Sequence, residues 1–365
     1  MTKMKTVIAA TVLLSLGGCV HSCTPKFGPG SHLVTLPVKS AFGGNATAAA
    51  AAASSSRRFL LEVPAHVDAA DGLPALVSIH GYSSNPYYYS LLAGTARYNR
   101  DQPFNESDPT APGSFEYLQA GYGMLVALPF GTADKESAEC CPAGATAAQC
   151  RGGTLLDKAN PCAFNAGGCC GSAVASKRGV DDIAFIKELA EWLVTDMCAR
   201  RDELFATGFS NGGMMTNRVG CELASTFRAI APFNGPLRLG GDFKECKPAE
   251  PMSVIQFCGS ADGACNGGIA ATMVTWGEAA GCDVGSTTPT YVSKTTHCQA
   301  FDGCAVGTIV EWCMIDGLGH SYSGHLRPGN AGSASKPDFG YQPATNVDGY
   351  RYVMNRFSTF FKDRR

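Results

Sequence analysis

Leu204-Phe-Ala-Thr-Gly-Phe-Ser-Asn-Gly-Gly-Met-Met215 reads as a short apolar strand that runs into Gly208-Phe209-Ser210-Asn211-Gly212 and then into a helix-forming stretch. This is the G-x-S-x-G spacing of a nucleophile elbow. The spacing has a steric reason. The serine has to sit on a strained turn between strand and helix, and a side chain at either flanking glycine would collide with the neighbouring strand or helix. The same turn sets the serine at a helix N-terminus, where backbone N–H groups without intrahelical partners stabilise a developing oxyanion. A glycine-rich loop with a chance serine would also satisfy five letters, but the strand before them and the helix after them favour the elbow.

Outward from the elbow, strand and helix patterns alternate. Phe59-Leu-Leu-Glu-Val63, Ala75-Leu-Val-Ser-Ile79 and Met124-Leu-Val-Ala-Leu128 are short apolar runs, as strands buried on both faces require. Val180 to Cys198 carries apolar residues at helical spacing. After the elbow come a helix from Asn211 to about Ala224, the strand-like Phe227 to Pro232, the strand Ser253 to Phe257 and a helix around Ala270 to Ala280. Thr308 to Ile315 and a last helix from Val347 to Phe361 complete the pattern. Such alternation predicts an α/β-hydrolase fold: a mostly parallel central sheet with helices on both faces, in one domain over residues 58–365.

A serine nucleophile needs a base and an acid, which in this fold follow it in the order Ser, Asp or Glu, His. Three histidines follow Ser210: His297, in an expected loop before the last strand, His320 and His325. His320, in Gly317-Leu-Gly-His320 just beyond the strand ending at Ile315, is the favoured base, and His325 the fallback. The acid should stand at the end of a strand between elbow and base. Asp262, in Cys258-Gly-Ser-Ala-Asp262, meets that test. Asp242, Asp283 and Asp302 are read as loop residues, and Asp316 is close enough to His320 to suggest a supporting role. The oxyanion donors expected are the backbone N–H groups of Asn211 and of Tyr82, the latter in the loop after Ile79-His-Gly81.

Net charge is −2 over 365 residues, with 45% hydrophobic and 16% charged residues and no dense basic run, so nucleic acid and anionic membrane are not expected partners. Met1 to Lys5, an apolar run from Thr6 to Leu16 and two small residues make residues 1–18 an expected signal peptide, the run being too short to span a bilayer. Leu16-Gly-Gly-Cys19 also resembles a bacterial lipobox, with Cys19 as a lipid anchor, although the Gly-Gly centre is not its commonest form. Seventeen cysteines, sixteen once Cys19 is set aside, suit disulfides in an oxidising, extracellular setting. No C-x-x-C knuckle or adjoining histidine cluster is present, so neither metal nor other cofactor is expected. Asn45 and Asn105 stand in glycan-acceptor triplets. Residues 19–57, with an alanine run from Ala48 to Ala53, are read as a low-complexity linker. The six cysteines from Cys140 to Cys170 suggest a disulfide-held loop, either beside the site or as a surface insertion unrelated to it.

With His80-Gly81, Asn165-Ala-Gly-Gly-Cys-Cys-Gly171, Val180-Asp-Asp-Ile-Ala-Phe185, the elbow, Gly259-Ser-Ala-Asp262, Trp276 with Gly281-Cys282, and Gly319-His-Ser321, the chain resembles the polyhydroxybutyrate depolymerase and feruloyl or acetylxylan esterase family of α/β-hydrolases. The likeness covers about Leu60 to Lys362. After the histidine the family usually has His-Ser-Trp-Pro-Gly, whereas this chain has His320-Ser-Tyr-Ser-Gly324. The resemblance implies an exported serine esterase acting on feruloyl or acetyl polysaccharide esters, with a depolymerase as the alternative. A serine peptidase and a non-catalytic secreted binding protein are further alternatives, because a triad alone does not separate ester from amide. Tyr82, Tyr87, Tyr88 and Tyr89 are read either as a stacking surface for a phenolic acyl group or as ordinary packing.

Overall fold

Strands β3 (Leu73–Ile79), β4 (Leu125–Pro129), β8 (Ala229–Phe233) and β9 (Ser253–Gly259) are buried along their whole length, which is why they read as unbroken apolar runs. They belong to the centre of a sheet seen in a computed structural model that describes residues 23–38, 56–64, 72–86, 89, 123–133, 162–170, 180–321 and 349–361. The other strands of that sheet are β1 (Gly30–Pro37), β2 (Ser56–Val63), β7 (Ala199–Phe209), β10 (Asp283–Val292), β11 (Thr296–Asp302) and β12 (Val310–Ile315). The order is β1-β2-β4-β3-β7-β8-β9-β12-β11-β10. Two short strands, β5 (Thr132–Ala133) and β6 (Cys162–Ala163), pair separately.

The helices are α1 (Asp182–Met197), α2 (Asn211–Glu222), α3 (Gly263–Asn266), α4 (Ile269–Ala279) and α5 (Gly349–Ser358). Because strand side chains alternate, the core divides in two. Phe59, Val77, Ala206, Ile230 and Val254 face one way and pack with Phe185 and Leu189 of α1, Met215 of α2 and Trp276 of α4. Leu60, Leu76, Phe205, Ala231 and Ile255 face the other way and pack with Val353, Met354 and Phe357 of α5. Helices therefore cover both faces. Helix α1 begins at Asp181, whose carboxylate accepts the Ala184 N–H at 2.8 Å, and ends at Cys198 in the left-handed conformation at φ 59°.

Two expectations need correction. The sheet is mixed. It is parallel from β4 through β3, β7, β8 and β9 to β12, but antiparallel at both margins, β1-β2-β4 and β12-β11-β10. Strand β10 was invisible because its Gly285, Pro289 and threonines lie on an exposed edge where apolar alternation is not needed, and β11 is its hairpin partner. Thus His297 lies on a strand, not in a loop, and Asp283 and Asp302 face each other at the open end of the β10–β11 hairpin. The folded chain also begins before Arg58. Gly30–Pro37, placed in the expected linker, pairs along β2 from Gly30–Val63 to Pro37–Ser56, with Val34 and Leu36 turned into the core. Most of the alanine-rich tract, residues 39–55, lies outside the described residues, as do the expected signal peptide, Cys19, Asn45 and Asn105.

The described cysteines are oxidised. Cys23–Cys198, Cys169–Cys170, Cys221–Cys246, Cys258–Cys265, Cys282–Cys304 and Cys298–Cys313 are bonded pairs. Cys162 is disulfide-bonded as well.

Candidate active site

Strands β3, β7, β8, β9 and β12 run parallel, so their C-terminal ends open on one edge of the sheet, the usual place for a ligand crevice in a parallel sheet. Each end leads directly into a segment of the site. After β7 the chain turns at Ser210 with φ 57° and ψ −119°, a costly conformation for a residue with a side chain, and enters α2 at Asn211. Close packing enforces the turn. A Cβ on Gly208 would stand 2.8 Å from the Ile79 carbonyl oxygen, and one on Gly212 would stand 2.5 Å from that of His80. The Ser210 N–H donates to the Phe233 carbonyl at the end of β8 at 2.9 Å, fixing the turn from its other side.

His320 follows β12. Its Nε2 lies 2.7 Å from Ser210 Oγ, and its Nδ1 lies 2.7 Å from Asp262 Oδ2. The imidazole also packs on Phe209, the residue before the serine, with ring centroids 5.0 Å apart. Asp262 follows β9 and caps α3, its other oxygen Oδ1 accepting the Ala264 N–H at 3.0 Å and the Cys265 N–H at 3.3 Å. Burial pushes this carboxyl up, but the hydrogen bond and charge of His320, with the N–H groups of Cys265 and Ala264, more than offset it and hold the group below its ordinary range. It is the ionised partner of an imidazole whose second nitrogen is free to take the serine proton. The disulfide Cys258–Cys265 brackets the acid turn.

Of the residues singled out from the sequence, Ser210, Asp262 and His320 come together in one relay, and Asn211 opens α2 directly beneath the serine. Tyr82 follows Gly81, where an added Cβ would lie 3.4 Å from Ser210 Cβ, so the Tyr82 end of the β3 loop borders the serine. Its side chain is at the surface. Tyr89 is buried, with its hydroxyl 3.4 Å from that of Tyr350, so it packs within the core and offers no stacking face; Tyr87 and Tyr88 fall outside the described residues. So does His325. Asp242 pairs with Arg218 at 3.1 Å, Asp302 accepts from Ser286 and Thr288, and Asp316 faces His297 at 3.2 Å.

The segments on which the family likeness rests meet in space. His80 is buried, its Nδ1–H donating to the Gly81 carbonyl at 2.8 Å and its Nε2 accepting the Gly131 N–H at 3.0 Å. Desolvation by burial lowers its pKa to about 4, so it is a neutral strut tying the β3 loop to the β4 loop. The Asn211 side chain grips residue 164 on both sides, accepting the Phe164 N–H at 2.9 Å and donating to its carbonyl at 3.1 Å. The next residue, Asn165, donates its N–H to Asp182 Oδ2 at 2.6 Å, and Asp182 in turn pairs with buried Arg57 at 2.9 Å. Residues 162–166 of the cysteine-rich segment therefore border the elbow. The Asn211 side chain, and not its backbone N–H alone, belongs to the site, and so does Asn234, whose side chain reaches the histidine loop. The signal available for Asn234 was its position at the end of a parallel strand, next to Gly235.

No family model matches the chain. Feruloyl esterase B of Piromyces equi is 30% identical over 176 residues, covering 44% of this chain and 31% of that protein. A probable feruloyl esterase C of Aspergillus clavatus is 29% identical over 168 residues, covering 45% of this chain and 57% of that protein. The chain is similar to feruloyl esterases. It spans between about a third and somewhat over half of the length of these curated relatives. Among solved structures, an acetyl xylan esterase from Aspergillus awamori superposes with a TM-score of 0.47 at 14% identity, over 79% of this chain and 94% of that one.

Proposed function

We propose that this chain is an exported serine carboxylic-ester hydrolase of the α/β-hydrolase type that cleaves feruloyl or acetyl esters of plant polysaccharides. The observation that carries the reading is the relay from Ser210 Oγ to His320 Nε2 and from His320 Nδ1 to Asp262 Oδ2, each step 2.7 Å. Ser210 Oγ attacks the ester carbonyl as His320 Nε2 takes its proton, while Asp262 accepts from Nδ1–H and stabilises the imidazolium. The oxyanion lies against the backbone N–H groups of Asn211 and Tyr82. His320 then returns the proton to the leaving alcohol, the acyl group stays on Ser210, and water activated by the same imidazole releases the acid. The names of the curated relatives support the feruloyl side of the substrate reading. Export to an oxidising compartment is supported by the six disulfides among the described residues and by the leader-like residues 1–18, with Cys19 as a candidate lipid anchor. Among the described residues no helix is long and apolar enough to cross a membrane.

The test compares kcat/KM on methyl ferulate, an acetylated xylo-oligosaccharide, a soluble 3-hydroxybutyrate oligomer and a peptide amide. A preference for one of the first two is expected. A preference for the hydroxybutyrate oligomer makes the enzyme a depolymerase, a preference for the amide makes it a peptidase, and no turnover of any makes it a binding protein.

A further inference from the structure

Asn234 follows directly on β8, a parallel strand beside the elbow that supplies no member of the relay. It is 2% exposed and holds φ 46°, a conformation that residues other than glycine rarely adopt. Its amide is used in full. The nitrogen Nδ2 donates to the Ser321 carbonyl at 2.7 Å and to the Gly319 carbonyl at 3.3 Å, the two peptide oxygens on either side of His320. The oxygen Oδ1 accepts the Gly259 N–H at 3.0 Å, at the end of the strand that delivers Asp262. Its backbone N–H donates to the Phe257 carbonyl at 2.9 Å. The residues on either side of it close on the serine: Phe233 accepts the Ser210 N–H, and a Cβ on Gly235 would stand 2.6 Å from the Met214 nitrogen in the first turn of α2. The loop is braced from behind, because Asn217 donates to the Gly235 carbonyl at 2.8 Å while accepting the Trp276 indole N–H at 2.7 Å. One short loop thus touches the segments carrying all three members of the relay.

We infer that Asn234 is the positioning residue that sets the His320 loop against both Ser210 and Asp262, so that its amide governs the rate of serine attack and not substrate affinity. The inference rests on the hydrolase reading above. A peptide loop flanking a histidine has no regular secondary structure of its own to fix it, and a misplacement of about 1 Å at a reacting group costs on the order of 10²-fold in rate. A side chain that holds both flanking carbonyls removes that freedom. The left-handed backbone at Asn234 turns the amide back toward the strand ends, and asparagine tolerates this conformation better than most residues.

Two substitutions separate the donor half of the amide from its acceptor half and from the backbone. Asn234→Asp keeps the size and the acceptor for Gly259 but loses the two donated bonds, whereas Asn234→Gly keeps the left-handed backbone and loses the side chain altogether. Each is assayed for kcat and KM on methyl ferulate and for the second-order rate of labelling by an alkyl fluorophosphonate, with the folded fraction measured by near-ultraviolet circular dichroism. In both variants we expect kcat and the labelling rate to fall together by on the order of 10²-fold, with KM unchanged. Wild-type kcat or labelling rate in Asn234→Asp overturns the inference, as does a loss that tracks only the folded fraction, or failure of both variants to fold. A wild-type protein that neither labels nor turns over ester refutes the hydrolase reading instead.

Discussion

The serine and histidine sides of the site are built by different means. Around Ser210 the work is done by backbone: Gly208 and Gly212 let the turn close on Ile79 and His80, and Phe233 holds the serine N–H. Around His320 side chains carry more of it: Asp262 on one ring nitrogen, Phe209 under the ring, and Asn234 on the flanking carbonyls, beside a backbone bond from the Ala261 N–H to the Leu318 carbonyl. A backbone-built turn tolerates almost no change in volume. A loop held by side chains can lose one hold and stay folded with its geometry loosened. The first kind of site therefore fails in stability and the second in rate.

The largest effect expected is chemical and leaves the backbone untouched. Ser210→Ala removes the attacking oxygen and should lower ester turnover by about 10⁴-fold or more with an unchanged melting temperature; retained turnover by the folded variant refutes the role of Ser210. Gly212→Ala probes the steric half of the contrast. Its Cβ meets the Ile79 and His80 carbonyl oxygens, neither of which can move without moving β3, so a loss of about 3 kcal/mol in unfolding free energy is expected in urea titrations. Wild-type stability would show that the elbow can relax and would dissolve the distinction drawn here.

The serine side also carries a pH signature through His80. Its pKa is lowered from 6.5 to about 4 in the fold, so the folded state refuses a proton that the unfolded chain takes up. Its contribution to stability is present above pH 6.5 and lost as pH falls toward 4, amounting to about 3 kcal/mol. Replacing it, as in His80→Gln, should flatten that part of the stability profile, and an unaltered slope between pH 6.5 and 4 would show that His80 is not the group responsible. The smallest effect belongs to the histidine side. With Cys258→Ser and Cys265→Ser together, the acid turn loses its covalent brace but keeps the hydrogen bonds from Ala264 and Cys265 N–H, which the backbone supplies whatever the side chain. About a tenfold fall in kcat is expected, with KM retained.

The same contrast decides how much of the molecule was legible in its sequence. Fully buried parallel strands such as β3 and β9 and the glycines of the elbow are specified by residue type at fixed spacing, so they could be read directly. Asp262 and His320 were legible because each follows a strand at the right place in the chain, and both arrive in the relay. The antiparallel margins were not, since β1 and β10 lie at the sheet edges and half of each strand's residues or more face solvent. Nor was the role of Asn234, which can be placed after a parallel strand but whose partners depend on where the loops from β9 and β12 come to rest. For Tyr89 the packing reading is the one that holds, since it is buried.

The bond between Cys23 and Cys198 closes 175 residues of sequence into a ring, which contains β1 to β6 and α1. In the chain-entropy picture, such a closure disfavours the unfolded state by about 5 kcal/mol. Its other consequence is topological. Ser210, Asp262 and His320 all lie beyond the ring, so a protease that cuts once between Cys23 and Cys198 opens a circle without dividing the molecule, and leaves the peptide chain from elbow to histidine continuous. A chain nicked there stays a single covalent particle until a reductant cuts the circle a second time.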